Sequence, residues 1–301
     1  MNNKVILISI IITVLVVSGI LLKTSNKTNK LGNNQSKKTI IENGEMMFDL
    51  KNPNSKIKLS NKLQEISALS YHKDNQLACL QDEKGDLFVT NYMTGDIEQK
   101  YSITGNGDFE GIEIIENVAY MLQSNGLLVK IVDFTEESRV ITEHKTSLSA
   151  KNDCEGLCID LKTKHLLIAC KNVPDLIKSS KSYKKMRAVY EYDITKEKLN
   201  QTPKFLISLD EIKKKTGEKK FMPSGIAVHP INYNIYIISS VGNLMIVLNR
   251  EGEIIDFAHL PAKVFRQPEG ICFSPDGKKL FISNEGRNKK GNILIFEQNS
   301  Y

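Results

Sequence analysis

One short motif recurs along the chain and constrains the fold more than any other feature of the sequence. It is a glutamate or serine, then a glycine or alanine, then a leucine or isoleucine, at the start of a strand-like run. Its first residues are Ser67, Glu110, Glu155, Ser224 and Glu269, separated by 43, 45, 69 and 45 residues. A four-stranded propeller blade has about 40–45 residues, so the spacing predicts five blades, the third about 24 residues longer.

The sequence around these motifs is typical of an all-β protein. Short apolar runs bounded by Gly, Asn or Asp follow one another from about residue 46, and sustained helical periodicity is scarce. The fifth copy holds three strands, and the run from Lys56 to Leu59 can supply the fourth. This pairing would close the ring and remove exposed sheet edges. We therefore predict a five-bladed β-propeller of four-stranded blades over residues 46–301.

The N-terminal part of the chain has a different character. Residues 5–22 form an uncharged apolar run of 18 residues. This is just long enough to span a bilayer and exceeds the roughly 7–15 apolar residues of a signal peptide. We predict an uncleaved signal anchor, a transmembrane helix, over residues 1–22, with a cleaved signal peptide as the alternative. Residues 23–45, rich in Asn, Lys, Ser and Thr, are predicted to be a flexible linker.

Charge and cysteine content narrow the functional class. The 41 Lys and Arg against 35 Asp and Glu give a net charge of +6 spread along the chain. A nucleic-acid-binding protein usually has a concentrated basic stripe, so no nucleic-acid partner is expected. More lysines follow the apolar run than precede it, which by itself favours a cytoplasmic propeller, although large domains can translocate despite such charges. The five cysteines include no CxxC and, being odd in number, do not indicate a closed disulfide framework.

Four strings resemble the SdiA-regulated (YjiK-like) family of NHL-like propellers. They are NDCEGL, PSGIAVHP, QPEGICFSPDGKKLFISNEG and LSYHKDNQLACLQDEKGDLF, and the likeness covers about Leu63 to Glu297. The resemblance implies a five-bladed propeller behind a membrane or export segment. It also implies an extracytoplasmic location and a Ca²⁺ site, and the family has no established enzymatic activity. This chain departs from the family at Ser67, where an acidic residue is expected, and in its longer, more basic third blade.

The motif residues are the main candidate site. Because antiparallel neighbours place the start of one strand beside the end of the next, these residues and the ends of the second strands should ring one mouth of the channel. Clustered carboxylates are relieved by raised pKa values, by hydrogen bonds or by a cation, and Ca²⁺ takes about 6–8 oxygen ligands. The predicted metal ligands are Glu110, Glu155, Glu269, Asp82 and Glu285. In the alternative interpretation each glutamate ties a turn by accepting backbone N–H bonds.

Two further aspartates, Asp108 and Asp153, each precede a motif glutamate by two residues. Turn formation is the favoured interpretation for them, and metal ligation is the second choice.

Basic loops are expected around the same mouth. The third repeat carries two insertions there, residues 171–187 and residues 209–221, the second a candidate short helix. Arg287, Lys289 and Lys290 occupy the equivalent loop of the fifth blade. An acidic centre with a basic rim could hold a metal-bridged anion such as a phosphate ester. Alternatively, these lysine-rich loops are simply solvated.

Three functional hypotheses follow. The favoured one is a Ca²⁺-binding module, held by a single membrane span on the periplasmic side, whose mouth engages an anionic small molecule or an envelope protein. The alternative is a Ca²⁺-dependent hydrolase of phosphate esters or lactones, with a motif glutamate as base, although the sequence contains no catalytic motif. The third is a purely structural platform.

A few remaining side chains are assigned to the scaffold. Cys158, Ala227 and Cys272 share one repeat position in the inner strands, which favours core packing. His72 and His229 occupy equivalent turn positions at the opposite mouth, where a structural role is favoured over metal ligation.

Overall fold

The computed structural model describes residues 46–172, 174 and 183–299. Strand β1 (Ser55–Lys58) precedes the first motif. The first blade contains β2 (Ile66–Lys73), β3 (Gln76–Gln81), β4 (Lys84–Asn91) and β5 (Ile97–Asn106). The second contains β6 (Phe109–Ile115), β7 (Val118–Gln123), β8 (Leu127–Val132) and β9 (Val140–Lys145). Both are antiparallel sheets in sequence order, as a propeller of hairpin-connected blades requires.

The third blade is the irregular one. Its strands are β10 (Cys154–Asp160), β11 (His165–Cys170), β12 (Met186–Asp193), β13 (Lys198–Leu199) and β14 (Phe205–Ser208). The last two both pair with β12, so the outer edge of this blade is a fourth strand in two pieces. The extra length lies between β11 and β12 and after β14, where the two insertions were predicted.

The fourth blade contains β15 (Met222–Val228), β16 (Ile235–Val241), β17 (Leu244–Leu248) and β18 (Ile254–His259). The fifth contains β19 (Pro268–Phe273), β20 (Lys279–Asn284), β21 (Asn292–Glu297) and, on its outer edge, β1. Ser55 lies opposite Ile295 and Lys58 opposite Asn292 in antiparallel register. The five-bladed propeller and its completion by the strand before the first motif are therefore confirmed.

Apolar side chains fill the spaces between blades. Five clusters of buried residues each join two neighbouring sheets. The largest fully buried side chains include Tyr190, Phe109, Phe221 and Phe281. Truncating one such aromatic ring to alanine typically costs about 3–5 kcal/mol, because the cavity only partly collapses.

The glycine of the motif is required by the close approach of the inner strands. A Cβ on Gly225 would lie 2.3 Å from the Glu269 carbonyl oxygen, and one on Gly111 would lie 2.7 Å from the Leu157 Cβ. A larger side chain at this position would push neighbouring blades apart at the channel. The spacing of these small residues therefore reports directly on how the blades pack.

The second insertion contains helix α1 (Leu209–Thr216), as predicted. The Ser208 hydroxyl caps it by accepting a hydrogen bond from the Glu211 N–H at 3.3 Å. Gly217 ends it in the left-handed conformation, with φ at 84°. Ile212 is fully buried and anchors the helix against the propeller.

The predicted anchor and linker, residues 1–45, lie outside the described residues. Among the residues that are described, no helix is both long and apolar enough to cross a membrane.

Candidate functional site

The inner strands of the five blades, β2, β6, β10, β15 and β19, surround a narrow channel. In each of them the pairing register with the second strand shifts at the first motif residue. Phe109 pairs with Gln123 and Gly111 with Leu122, so Glu110 between them is an extra, bulged residue. A bulge redirects the side chain of the unpaired residue. The same local irregularity thus brings all five motif residues to one mouth.

Three glutamates from separate blades meet there. Glu155 and Glu269 are buried and Glu110 is half-buried. Burial raises the pKa of Glu269 to about 8, and the charge of Glu155 adds to the effect. Burial and the neighbouring Glu155 and Asp108 carboxylates likewise raise the pKa of Glu110 far above its ordinary value. Because their pKa values are raised, these two carboxyl groups hold protons at neutral pH, and their ionisation would require a compensating positive charge.

Lys171 supplies a counter-charge to this group. Its Nζ donates a hydrogen bond of 2.7 Å to Glu155 Oε1 and lies 4.0 Å from Asp153 Oδ2. Burial still raises the pKa of Glu155 above its usual range, although Lys171 opposes that effect. The sequence places Lys171 on this mouth, at the end of β11 and the start of a basic loop. Its pairing with Glu155 was not predicted.

The two motif serines have a different role. The Ser67 hydroxyl donates to the Phe109 carbonyl oxygen at 2.6 Å, and the Ser224 hydroxyl donates to the Pro268 carbonyl oxygen at 2.7 Å. Each bond joins one blade to the next. A neutral hydroxyl at the motif position is thus sufficient to tie the blades together.

Asp82 and Glu285 form a second acidic group with Glu65, which the sequence analysis missed. Burial raises the pKa of Asp82 to about 6, and the charges of Glu65 and Glu285 raise it further. In the described structure, the buried Asp82 Oδ1 has no hydrogen-bond partner. The predicted ligands therefore fall into two groups, which are linked because the charge of Glu285 acts on Glu269. Glu65 immediately precedes β2, so its position beside the end of β3 was the available signal.

The side chains at this mouth supply the oxygen ligands that a hard cation prefers, but they are not arranged around a cation site. Carboxylate oxygens are the ligands that Ca²⁺ prefers. However, no three acidic, histidine or cysteine side chains surround a common point within the described ranges. The space between the motif residues is about 10 Å³, close to the minimum for one water molecule. Ion binding here would require the glutamate side chains to turn and Lys171 to leave Glu155.

The model of the SdiA-regulated family matches residues 49–288. The chain belongs to the SdiA-regulated family. This confirms the resemblance carried by the repeat strings, and the match includes all five motifs.

Several solved structures are similar to this SdiA-regulated protein at low sequence identity. The glutaminyl cyclase of Myxococcus xanthus has a TM-score of 0.56 and 11% identity, covering 83% of this chain and 97% of that one. A luciferin-regenerating enzyme has a TM-score of 0.49 and 11% sequence identity, and the match covers 82% of this chain and 95% of that one. The virginiamycin B lyase of Staphylococcus aureus has a TM-score of 0.44 and 12% sequence identity, and the match covers 82% of this chain and 74% of that one. A search of curated proteins found no match.

The basic rim of this family member is only partly described. Arg287 donates from Nε to the Gln267 Oε1 at 2.5 Å, and Gln267 also contacts Glu285. Lys185 pairs with Asp210 at the start of α1, at 3.1 Å. Residues 173 and 175–182 of the first insertion lie outside the described ranges. Arg287 and Lys185 are thus engaged with neighbouring polar groups, whereas Lys289 and Lys290 are exposed.

Proposed function

We propose that this SdiA-regulated protein is a binding module whose acidic mouth takes up a divalent cation, with Ca²⁺ as the ion. The observation that carries the proposal is that Glu110, Glu155 and Glu269, from three different blades, line one narrow space, with Glu155 and Glu269 buried. Like charges gathered in this way cost free energy unless a cation or protons compensate them.

The motif serines support this interpretation. Ser67 and Ser224 complete their blade junctions with a neutral hydroxyl. The fold therefore does not need a carboxylate at the motif position. Three carboxylates in the other blades are better explained by something they bind than by the scaffold they stand on.

The uptake of an ion would replace the present compensation. Glu110 and Glu269 exchange protons for the metal, and Glu155 exchanges the Lys171 ammonium. Asp82 and Glu285 add negative charge beside the mouth, and waters complete the oxygen shell that Ca²⁺ requires. The ion then neutralises the mouth and offers the rim a positive centre for an anionic small molecule or an envelope protein.

Ca²⁺ titration by calorimetry tests the proposal, on the full-length chain in detergent with detergent alone as blank. We expect saturable one-site binding in the parent and its loss in the Glu110→Gln/Glu155→Gln variant. The exposed Glu251 provides the matched control, because Glu251→Gln removes a carboxylate without touching the mouth. The absence of binding heat, together with an unchanged melting temperature at millimolar Ca²⁺, would contradict the proposal.

The membrane tether is proposed from the sequence alone. We infer that residues 1–22 anchor the chain and that the propeller faces the periplasm. Proteolysis of spheroplasts carrying a C-terminally tagged chain tests this orientation. Loss of the tag in intact spheroplasts is expected, and protection of the tag until lysis would place the propeller in the cytoplasm.

A further inference from the structure

The opposite mouth of the channel contains a cavity of about 300 Å³. The residues three positions after the first motif residue, the fourth position of the repeat, line it: Ser70, Glu113, Cys158, Ala227 and Cys272. Cys158 and Cys272 belong to the buried clusters, as predicted, and they also face this cavity. Four of the five positions carry a small uncharged side chain, which leaves the cavity open. Its size is at the lower end of the roughly 300–1,000 Å³ typical of small-molecule pockets.

Glu113 is the exception in this ring. Its carboxyl group is held by hydrogen bonds from the Ser70 side chain and the Ile159 backbone, and neither partner carries a charge. The described residues that line the cavity include no lysine or arginine. Burial raises the pKa of Glu113 to about 8. A carboxyl group in these surroundings lacks a cationic partner.

A fully buried carboxyl group near the same mouth shows how the fold stabilises a structural carboxylate. Asp160 has no solvent exposure, and Arg250 donates two hydrogen bonds to it at 2.9 and 2.7 Å. Although burial opposes the charge of Asp160, the bonds from Arg250 hold its pKa below the ordinary value. Among the described residues, no arginine pairs with Glu113, which has a cavity beside it instead.

The rest of the wall is mainly apolar. Ile114, Val228 and Phe273 contribute to it, together with Tyr71 and His72. Burial lowers the pKa of His72, with the charge of Lys73 as a second cause, so its ring is neutral at pH 7. The cavity therefore offers one acidic group at its channel end and a neutral, largely apolar surface around it.

We propose that this cavity binds a small organic cation, a primary amine with an apolar ring or chain, whose ammonium group pairs with Glu113. The apolar body of the ligand packs against Ile114, Val228 and Phe273. Binding of the ammonium group releases the Glu113 proton to the solvent, and the ammonium–carboxylate hydrogen bond that forms out of bulk water is about twice as strong as a neutral one. The apolar wall adds the hydrophobic contribution. This site is separate from the acidic mouth and does not depend on cation binding there.

Calorimetric titration with 2-phenylethylamine tests the proposal, with 2-phenylethanol as the neutral isostere and the full-length chain in detergent. We expect saturable amine binding and alcohol binding that is weaker by about tenfold or more. Glu113→Gln keeps the size and hydrogen bonding of the side chain, and it should reduce the amine affinity to that of the alcohol. Glu143→Gln, an exposed change on β9 of the same blade, is the matched control and should leave binding unchanged.

A cavity-filling variant provides an independent test. Ala227→Leu extends a side chain into the cavity from the fourth blade, and we expect it to abolish binding of the amine and of the alcohol. The Glu110→Gln/Glu155→Gln variant should bind the amine like the parent. Equal affinity for amine and alcohol in the parent, or amine binding that survives Glu113→Gln or Ala227→Leu unchanged, would overturn the proposal, as would the absence of saturable binding at millimolar amine.

Discussion

The two mouths of the channel differ in how their glutamate carboxyl groups are surrounded. At the acidic mouth, three motif glutamates share one space with Lys171. At the opposite mouth, Glu113 is the single acidic member of its ring and has a cavity beside it. Both sets lie on the same five strands, three residues apart. The scaffold thus fixes where side chains meet, while the residue types at equivalent positions decide which chemistry results.

The bulge at the first motif position explains part of this difference. It turns all five motif residues to one mouth, so a carboxylate in one blade meets those of the others. The fourth position follows regular pairing, and four of its five residues are small. A single larger residue there has open space beside it. The clustering of the motif glutamates and the isolation of Glu113 therefore follow from the residue types at the first and fourth positions of the repeat.

The largest expected effect concerns Asp160, the buried carboxyl that has a partner. Arg250→Met should lower the free energy of unfolding by about 3 kcal/mol, because it leaves Asp160 buried with the Lys162 N–H at 3.1 Å and the Lys204 ammonium group at 3.7 Å. Denaturant unfolding measures the change. Arg266→Met, at an exposed position, is the control and should change stability little. If Arg250→Met lowers the free energy of unfolding by less than about 0.5 kcal/mol, the Arg250 pair contributes little to stability. Asp160 would then not differ from Glu113 in the way described.

The next effect concerns the pH dependence contributed by Glu113. Its pKa is raised from 4.5 to about 8 in the folded state. The folded state therefore binds this proton more tightly than the unfolded state, and the resulting stability is present below pH 4.5 and is lost as the pH rises to 8. Glu113→Gln should remove this loss, stabilising the protein relative to the parent by on the order of 2 kcal/mol at pH 9 and hardly at pH 4.

Urea unfolding at the two pH values measures that difference. The carboxyl groups of the acidic mouth are common to parent and variant, so the comparison isolates Glu113. A difference that is the same at both pH values would contradict the isolated carboxyl group described here.

A smaller effect is expected from removing the internal cation of the acidic mouth. Lys171→Met should destabilise the protein by about 1 kcal/mol, because Glu155 can take up a proton in place of the ammonium group. It should also strengthen Ca²⁺ binding by about tenfold, since the ion no longer competes with Lys171. Calorimetry measures both the affinity and its change. An unchanged Ca²⁺ affinity would show that Lys171 does not occupy the ion's place.

The smallest effect is expected at the rim. Arg287 is exposed and bonded to Gln267, so Arg287→Gln should change the free energy of unfolding by less than about 0.5 kcal/mol. Ca²⁺ and amine affinities should stay at parental values. A marked change in either affinity would show that the rim and the channel are coupled.

The fold was largely predictable because the repeat is local and regular. Five motif copies gave the blades, and the spare strand before Ser67 gave the closure. The meeting of Glu110, Glu155 and Glu269 was predictable for the same reason. It follows from where strands begin rather than from side-chain conformation.

What the sequence did not predict depends on side-chain paths or on empty space. The hydrogen bond from Lys171 to Glu155 depends on the side-chain rotamer of Lys171, which the sequence does not specify. Glu65 lies just outside the motif and was therefore overlooked. The small residues at the fourth position indicated packing, but together they leave a cavity. The available signal was that Glu113 is the one acidic residue at the fourth position, where the other blades have serine, cysteine or alanine. The division of the third blade's outer strand into β13 and β14 had no clear sequence signal.

We proposed that the three glutamates of the acidic mouth form a cation site, which Lys171 compensates when no ion is bound. A crystal structure of the full-length chain grown with millimolar Ca²⁺ tests it most directly. We expect an ion coordinated by Glu110, Glu155 and Glu269, with the Lys171 ammonium group displaced from Glu155. Lys171 still bonded to Glu155, with no ion between the glutamates, would contradict it.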